Sequence, residues 1–524
     1  MGRVELARSY YRDIRNTNDY FYVGVGKTNS WEDEDNPESP IDSDYYVNDF
    51  RKRLMFLQRV TSSDACLLVR RIDWAYGTIY DSYNNNYNTN NPAFSGATSL
   101  STANFYVLTD EYKVYKCLDN NRNSYSTIKP TGTGTSPEQL SDGYIWKFMY
   151  QVSAADQTKY LDAGHIPVRK LTGNPTFDVN GELDSISVTS GGSGYISAPT
   201  VVISGDGEGA TATATLSGDT VDSITIDTPG TGYTFAFIAL NSDSGNGATA
   251  TVSLGDDDPL PTLQSLVEGS AIDGTIDRID IVSTGQDYSE GDATVVISGD
   301  GSGAEASVRI ADATGSVIEV IVTNAGTGYT WANITIQNSV GIGQGAICNA
   351  IISPKGGHGS NAPKELFAKT LGLTLSFSDN ANADLIKGND FRQVGLIKNI
   401  YGYDSATLFT ELTGTPCFVV NVSDNQYYNI DDEIVTSDGG TFQVSQIVEK
   451  SDGTFDVYLV AMVPIILNTS TLTNNSTGDL NLVINSLTTP EVNVKTGEVI
   501  YLENRPPINR SSDQVETIKT LIRF

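Results

Sequence analysis

The sequence predicts an α+β protein in which a mixed α/β core, built from both ends of the chain, carries an inserted all-β domain. Three observations point there. Alternating apolar segments dominate both flanks, one segment has helical spacing, and residues 171–353 differ from either flank in composition and repeat a motif. With 524 residues and 39% hydrophobic content, the chain can fill two to four domains with packed cores.

The first flank, 1–170, begins with a short strand over Phe21–Val25, closing on Gly24 and Gly26, before an acidic, proline-containing loop from Trp31 to Pro40. Asp44 to Phe50 leads into Leu54, Met55, Leu57 and Val60, and that spacing predicts a single helix. Strands return at Leu67–Val69, Phe105–Leu118 and Tyr144–Val152, with an Asn- and Tyr-rich loop over 83–91.

From 171 to 353 Gly, Thr, Ser, Ala, Val, Ile and Asp dominate. The block holds about 23 acidic residues against two basic ones, Arg278 and Arg309, so about −21 of the chain's net −31 sits here. Four copies of one unit are visible. Each has an alternating strand, a glycine turn closed by tyrosine, a second strand, and a Gly-x-Gly-Ala corner opening a small-residue strand. The tyrosines are Tyr195, Tyr233, Tyr288 and Tyr329, and the corners end at Ala210, Ala248, Ala304 and Ala346. Spacings of 38, 56 and 42 between these alanines group the copies in two pairs, separated by an insert over 256–274. A sandwich, a prism and a short solenoid all fit such text. The concentrated charge and closed repetition predict a block that folds by itself and projects into solvent. The second flank, 354–524, returns to mixed text: a helix start at Pro363–Ala368, strands at Phe391–Ile400 and Phe418–Val422, and a strand-rich end.

A balance of 33 Lys+Arg against 64 Asp+Glu argues against binding nucleic acid or anionic lipid. The longest apolar run, Val457–Leu467, is too short for a membrane helix and contains Pro464, so it reads as a core strand. Met1 to Leu6 shows no secretory h-region, which points to a protein made and kept in a cytoplasm. Cys66, Cys117, Cys348 and Cys417 are scattered in strand-like text, as buried free thiols are.

No local constellation carries chemistry. His165 and His358 are the only histidines and neither lies in a metal-binding pattern; His358, in a glycine-rich turn, reads as a turn residue before a catalytic one. No Gly-x-Gly is followed by Gly-Lys-Ser/Thr and a helix, so these are turns and not phosphate loops. Asp206, Asp243, Asp300 and Asp256–Asp258 are the acids that could hold calcium, but they lack a regular spacing and read as solvated loop charge. No carboxylate pair is singled out for glycoside hydrolysis. The expectation is no catalytic residue, no cofactor and no metal.

Ordered motifs run along both flanks. The first flank carries Phe21-Tyr22-Val23-Gly24-Val25-Gly26-Lys27 with Ser30-Trp31, then Arg70-Arg71-Ile72-Asp73-Trp74, Tyr115-Lys116-Cys117-Leu118-Asp119 and Asp142-Gly143-Tyr144-Ile145-Trp146-Lys147. The second carries Asp390-Phe391-Arg392-Gln393-Val394 and the run Gly497 to Ile508, with Asp513-Gln514 behind it. In this the flanks, about 340 residues, resemble the baseplate wedge protein encoded by the eighth gene of T4-like contractile-tailed phages. The repeat block departs from that pattern and is similar to glycine-tyrosine repeats in structural proteins of phages of marine cyanobacteria.

The resemblance implies a virion protein of the tail baseplate, assembled in the host cytoplasm. It also implies a homodimer that joins the other wedge proteins and the short-fibre attachment proteins around a hub, and helps transmit the trigger for sheath contraction. Arg70, Arg71, Asp73 and Trp74, and Glu503, Asn504, Arg505, Pro506 and Pro507, are then the candidate interface or structural residues. Read from the residues alone, the first group is a salt-bridged strand end with a packed tryptophan, and the second a strand stopped by its prolines. The alternative reading is a host-receptor or glycan-binding tail protein acting through the repeats.

Overall fold

The computed structural model describes residues 3–15, 19–171, 183–205, 208–231, 236–242, 244–254, 261–338, 342–377, 389–436, 439–462, 471–509 and 516–524. Half of the chain is strand and a tenth helix, so the fold is β-rich and not a balanced α+β arrangement. Two compact units divide the chain: residues 1–8, 66–370 and 523–524 form one, and 9–65 with 371–522 form the other. Residues 66–170 thus share a unit with the repeats.

In the unit containing 9–65, five antiparallel strands lie in the order Thr413–Gly414, Leu54–Arg59, Phe21–Gly26, Asp390–Lys398, Glu498–Asn509. The expected single helix is Asp44–Lys52 alone, and the apolar run after it is the strand Leu54–Arg59. Leu54 to Leu57 are all buried, as suits a strand flanked on both sides, and a helical stripe would bury only part of such a run. Gly24 and Gly395 face each other across two strands, and a methyl group on Gly395 would come within 2.5 Å of the Phe50 ring. The paired glycines therefore leave the slot into which the helix inserts Phe50.

The same unit holds a seven-stranded sheet, ordered Asp479–Val483, Thr471–Asn474, Glu433–Val435, Thr441–Glu449, Phe455–Ala461, Phe418–Val422, Ser486–Thr488. Its core includes Phe418, Val420, Ile434, Phe442, Val457 and Leu459. The apolar run expected as one strand is Phe455–Ala461, and residues 463–467 lie outside the described residues.

In the other unit, Tyr106–Leu108, Lys113–Asp119, Ile145–Gln151 and Glu138–Gln139 form an antiparallel sheet. The strand expected over 105–118 is split by a tight turn with Tyr112 at φ 58°. Tyr80, Tyr115, Tyr144, Trp146 and Phe148 fill one face of the core, together with Val267 from the helix Pro261–Gly269. That helix belongs to the insert between the two repeat pairs. Gln264 donates to the Arg169 carbonyl at 2.7 Å and Glu268 accepts from the Leu171 amide at 3.0 Å, fixing the helix beside the end of the first flank.

Each repeat supplies an opening, a middle and a closing strand, and pairing joins neighbouring repeats by exchange. In the first pair the closing strand Glu208–Ser217 meets the next opening strand Thr220–Thr231, and the closing strand Asn246–Leu254 returns to the first opening strand Leu183–Ser193. The two middle strands, Thr200–Gly205 and Ala236–Asn241, pair with each other. The second pair repeats this with Ser302–Ala311 on Ser316–Thr327, Gln344–Ile352 on Ile276–Gln286, and Ala293–Gly299 on Ala332–Asn338. Six antiparallel strands surround each shared core, which makes the block two strand-exchanged bodies and not a solenoid. A lone repeat would leave its opening and closing strands without their partners.

The corner glycines seal this exchange. A methyl on Gly343 would lie 2.5 Å from the Tyr288 ring, and one on Gly301 would lie 2.4 Å from Tyr329, so in each junction a tyrosine from one repeat rests on the bare corner of its mate. Tyr195 rests on Gly245 in the same way, whereas Tyr233 lies outside the described residues.

Candidate functional site

A buried polar cluster lies in the unit containing the repeats. Register places Lys116 directly opposite Lys147 on neighbouring strands, both buried. Two like charges so placed repel, and the cluster answers with a carboxylate. Glu365, from the turn of helix Ala362–Glu365, contacts Lys116 at 2.5 Å; the lysine is 0% exposed and also sits over the Tyr83 ring, 4.6 Å from its centroid. Gly359 and Asn361 amides donate to the same carboxylate at 2.9 and 3.0 Å. Burial pushes the Glu365 carboxyl up and the Lys116 amine down, but Lys116 and the amide donors outweigh burial at Glu365 and hold its carboxyl below the ordinary range, so it is ionised. Burial lowers Lys147 as well, with Lys116 adding to the effect; Lys147 donates to the Thr135 carbonyl.

His358 adjoins this pair. It is 9% exposed, its Nε2 lies 2.6 Å from Asp277 Oδ2, and its ring meets Tyr83 edge to face at 4.8 Å. Burial and then Lys116 push its pKa down, so the ring is neutral, with Nε2–H donating to Asp277. The turn residue expected from sequence is thus a buried, hydrogen-bonded group. The neighbouring Ser360 hydroxyl donates to the Gly357 carbonyl at 3.0 Å and not to the imidazole.

Arg278, singled out as one of two cations in the repeats, crosses to the first flank. It donates to the Tyr83 carbonyl at 2.9 Å and to the Leu118 carbonyl, and pairs with Asp280 at 2.8 Å. Asn86 donates to the Ala350 carbonyl at 3.1 Å and Arg122 to the Ile318 carbonyl at 3.3 Å. The second repeat pair is therefore tied to the first flank by part-buried and exposed polar contacts and, unlike the free-standing appendage expected, does not stand clear of it. A cavity of about 430 Å³ lies along this seam, lined among others by Asp277, Arg278, Lys147 and His358. Arg309 instead pairs with Glu319 across two repeat strands at 2.7 Å.

The nine residues singled out from sequence fall in two places. In the repeat-bearing unit, Arg70 donates to the Ala103 carbonyl and Asn104 Oδ1, and Arg71 pairs with Asp73 at 2.9 Å and donates to the Asp162 carbonyl. Trp74 Nε1 donates to Ser126 Oγ at 3.1 Å, and its ring packs on the Tyr80–Trp146 core. In the other unit, Arg505 pairs with Glu503 at 3.1 Å and donates to the Lys519 carbonyl at 2.9 Å; its own carbonyl accepts from Trp31 Nε1 at 3.0 Å. Asn504 donates to the Glu38 carbonyl and accepts from Gln393. Pro506 and Pro507 do not stop the strand, which runs on to Asn509. They occupy a bulge, where pairing jumps from Gln393↔Asn504 to Phe391↔Ile508, on a terminal strand of the sheet. There the missing amide hydrogens cost little.

Among the calcium candidates, Asp300 accepts from the Thr330 and Trp331 amides, and those bonds with the Thr330 hydroxyl hold its pKa at about 2; it caps a turn. Asp206, Asp243 and Asp256–Asp258 lie outside the described residues, among which no group of three or more His, Cys, Asp or Glu is placed to hold a metal. His165 faces Asp162 at 3.1 Å. All four cysteines are buried and free.

Sequence reading did not find Lys116, Glu365, Asp277 or Tyr83 as a cluster, because Lys116 and Glu365 are 249 residues apart. The one available signal was a lysine in the middle of each apolar strand, at Lys116 and Lys147. No family model matches the chain, and no curated protein matches it at a significant level.

Proposed function

We propose that the chain is a structural subunit of a contractile-tail baseplate wedge, acting through protein–protein interfaces and not through turnover. The supporting observation is where the resemblance motifs fall. The segments at 21–26, 390–394 and 498–508, scattered over the chain, form three successive strands of one sheet. Likewise Trp74, Tyr115, Cys117, Tyr144 and Trp146, drawn from the other three motifs, pack into one core. Motifs that share a sheet or a core are fold-determining, as expected of a scaffold. The seven polar side chains among the nine singled-out positions have local partners, which suits a rigid assembly part. In this reading the subunit is a homodimer and joins other wedge proteins and short-fibre attachment proteins. The test is to fit both units separately into density of intact tails from the source virus. Absence of matching density at the wedge overturns the reading.

A second reading, host-glycan binding through the repeats, draws on one feature. Trp331 is exposed on a repeat turn beside Asp300, and an aromatic face next to a carboxylate suits sugar stacking. Binding of the intact protein to immobilised host polysaccharide, lost on Trp331→Ala, would favour it.

A further inference from the structure

In the unit containing 371–522, the seven-stranded sheet does not close. Its terminal strands, Asp479–Val483 and Ser486–Thr488, follow each other in sequence but lie at opposite ends of the strand order. A cavity of about 520 Å³ lies at this open seam, bounded by Asp479–Val483 on one side and by the segment leaving strand Phe418–Val422 on the other.

Four properties of the seam bear on what it takes. Among the described residues, Asp479–Val483 pairs only with Thr471–Asn474, leaving one backbone edge open. Leu480 and Val483 on that strand are 68% and 69% exposed, a large apolar exposure for an edge. Asp424 and Asp479 line the cavity, and among the described residues no lysine, arginine or histidine lines it. Local donors hold both carboxylates in place: the Gln426 amide and side chain on Asp424, and the Thr477 hydroxyl on Asp479. Finally, Tyr428 lines the cavity, is 4% exposed, and its hydroxyl has no hydrogen-bond partner among the described residues. Burial pushes that phenol up to about 12, so the enclosed hydroxyl stays protonated.

An open edge calls for an extended backbone, exposed Leu480 and Val483 call for apolar side chains, and two uncompensated carboxylates call for a cation. Tyr427, on the cavity wall, adds an aromatic ring to the lining, and aromatic rings attract cations. Arginine meets the last two demands better than lysine, because its planar fork bonds carboxylates and stacks on rings together. We propose that this seam is a docking site for an extended segment of a protein partner that carries an arginine between apolar residues. The segment adds a strand beside Asp479–Val483, and its guanidinium enters between Asp424 and Asp479. The proposal concerns the partner's chemistry and does not depend on the baseplate reading.

The experiment titrates the full chain with three fluorescein-labelled peptides: an alternating Val/Thr octapeptide with one central arginine, its glutamine analogue, and the arginine peptide N-methylated on alternate backbone nitrogens. Fluorescence anisotropy should show saturable binding of the arginine peptide, weakened about tenfold or more by either change. The shape-conserving variants Asp424→Asn and Asp479→Asn should each weaken it several-fold, and Leu480→Lys should abolish it. No saturable binding of the arginine peptide overturns the proposal, as does equal affinity for the glutamine analogue or binding unchanged in all three variants.

Discussion

The hydroxyl of Tyr288 accepts a hydrogen bond from the amide of Ala346 at 3.3 Å, joining the glycine-tyrosine turn of one repeat to the Gly-x-Gly-Ala corner of the next. Tyr329 returns the bond to Ala304 at 3.4 Å, and Tyr195 makes its equivalent with Ala248 at 3.3 Å. Each tyrosine thus reads the presence of a mate, and the repeat motif is a clasp between copies.

Breaking one clasp should separate its two components. Tyr288→Phe removes the hydroxyl and keeps the ring, and should cost about 1 kcal/mol in denaturant unfolding. Gly343→Ala keeps the hydroxyl but drives a methyl into the ring, and should cost about 1–3 kcal/mol. If the phenylalanine variant is the more damaging, the hydrogen bond and not the bare corner carries the junction.

Arg278→Ala should destabilise the repeat-bearing unit by roughly 1–2 kcal/mol, because it removes the partner of Asp280 and the donors of two carbonyls of the first flank in a part-buried seam. Arg309→Ala, which breaks an exposed cross-strand pair, should cost well under about 1 kcal/mol. Urea melts of the two variants make the comparison, and equal losses would show that the seam is not anchored through Arg278.

Lys116→Met should cost about 3–5 kcal/mol, since it leaves Glu365 ionised and buried. The double variant Lys116→Met, Glu365→Gln should recover part of that loss, as both charges of the pair are gone. A double-mutant cycle by chemical denaturation measures the coupling, and additive losses would mean that the two side chains do not act as a pair.

Acidification should unfold the repeat-bearing unit first through His358. Its folded pKa lies below the unfolded value near 6.5, so the unfolded chain binds the extra proton, and stability present above that value falls as pH drops toward the folded pKa. Glu365, also lowered on folding, adds a further loss of the same sign at more acid pH. The melting temperature should therefore decline from pH 7 to pH 5, and His358→Gln should flatten the decline across that window. An unchanged slope in the variant would place the sensitivity elsewhere.

By itself the sequence determined what is written within a few residues. Phe21–Val25 is legible as a short apolar run closed by glycines and Phe418–Val422 as an alternating one, both local properties, and the glycine corners are legible because only glycine tolerates a ring against its α-carbon. The composition break at 171 and the long interval between the second and third corners are equally plain in the text. Local text misled where burial comes from both sides, as at Leu54–Leu57, and where a bulge admits what a regular ladder would refuse, as at Pro506 and Pro507. Only the tertiary structure decided that closing strands are exchanged between repeats, that the insert helix Pro261–Gly269 completes the core of the first flank, and that Glu365 pairs with Lys116 opposite Lys147. Each of these joins residues tens to hundreds of positions apart, and which strand or charge finds which is chosen by the total burial and pairing of the folded chain, a quantity no short window contains.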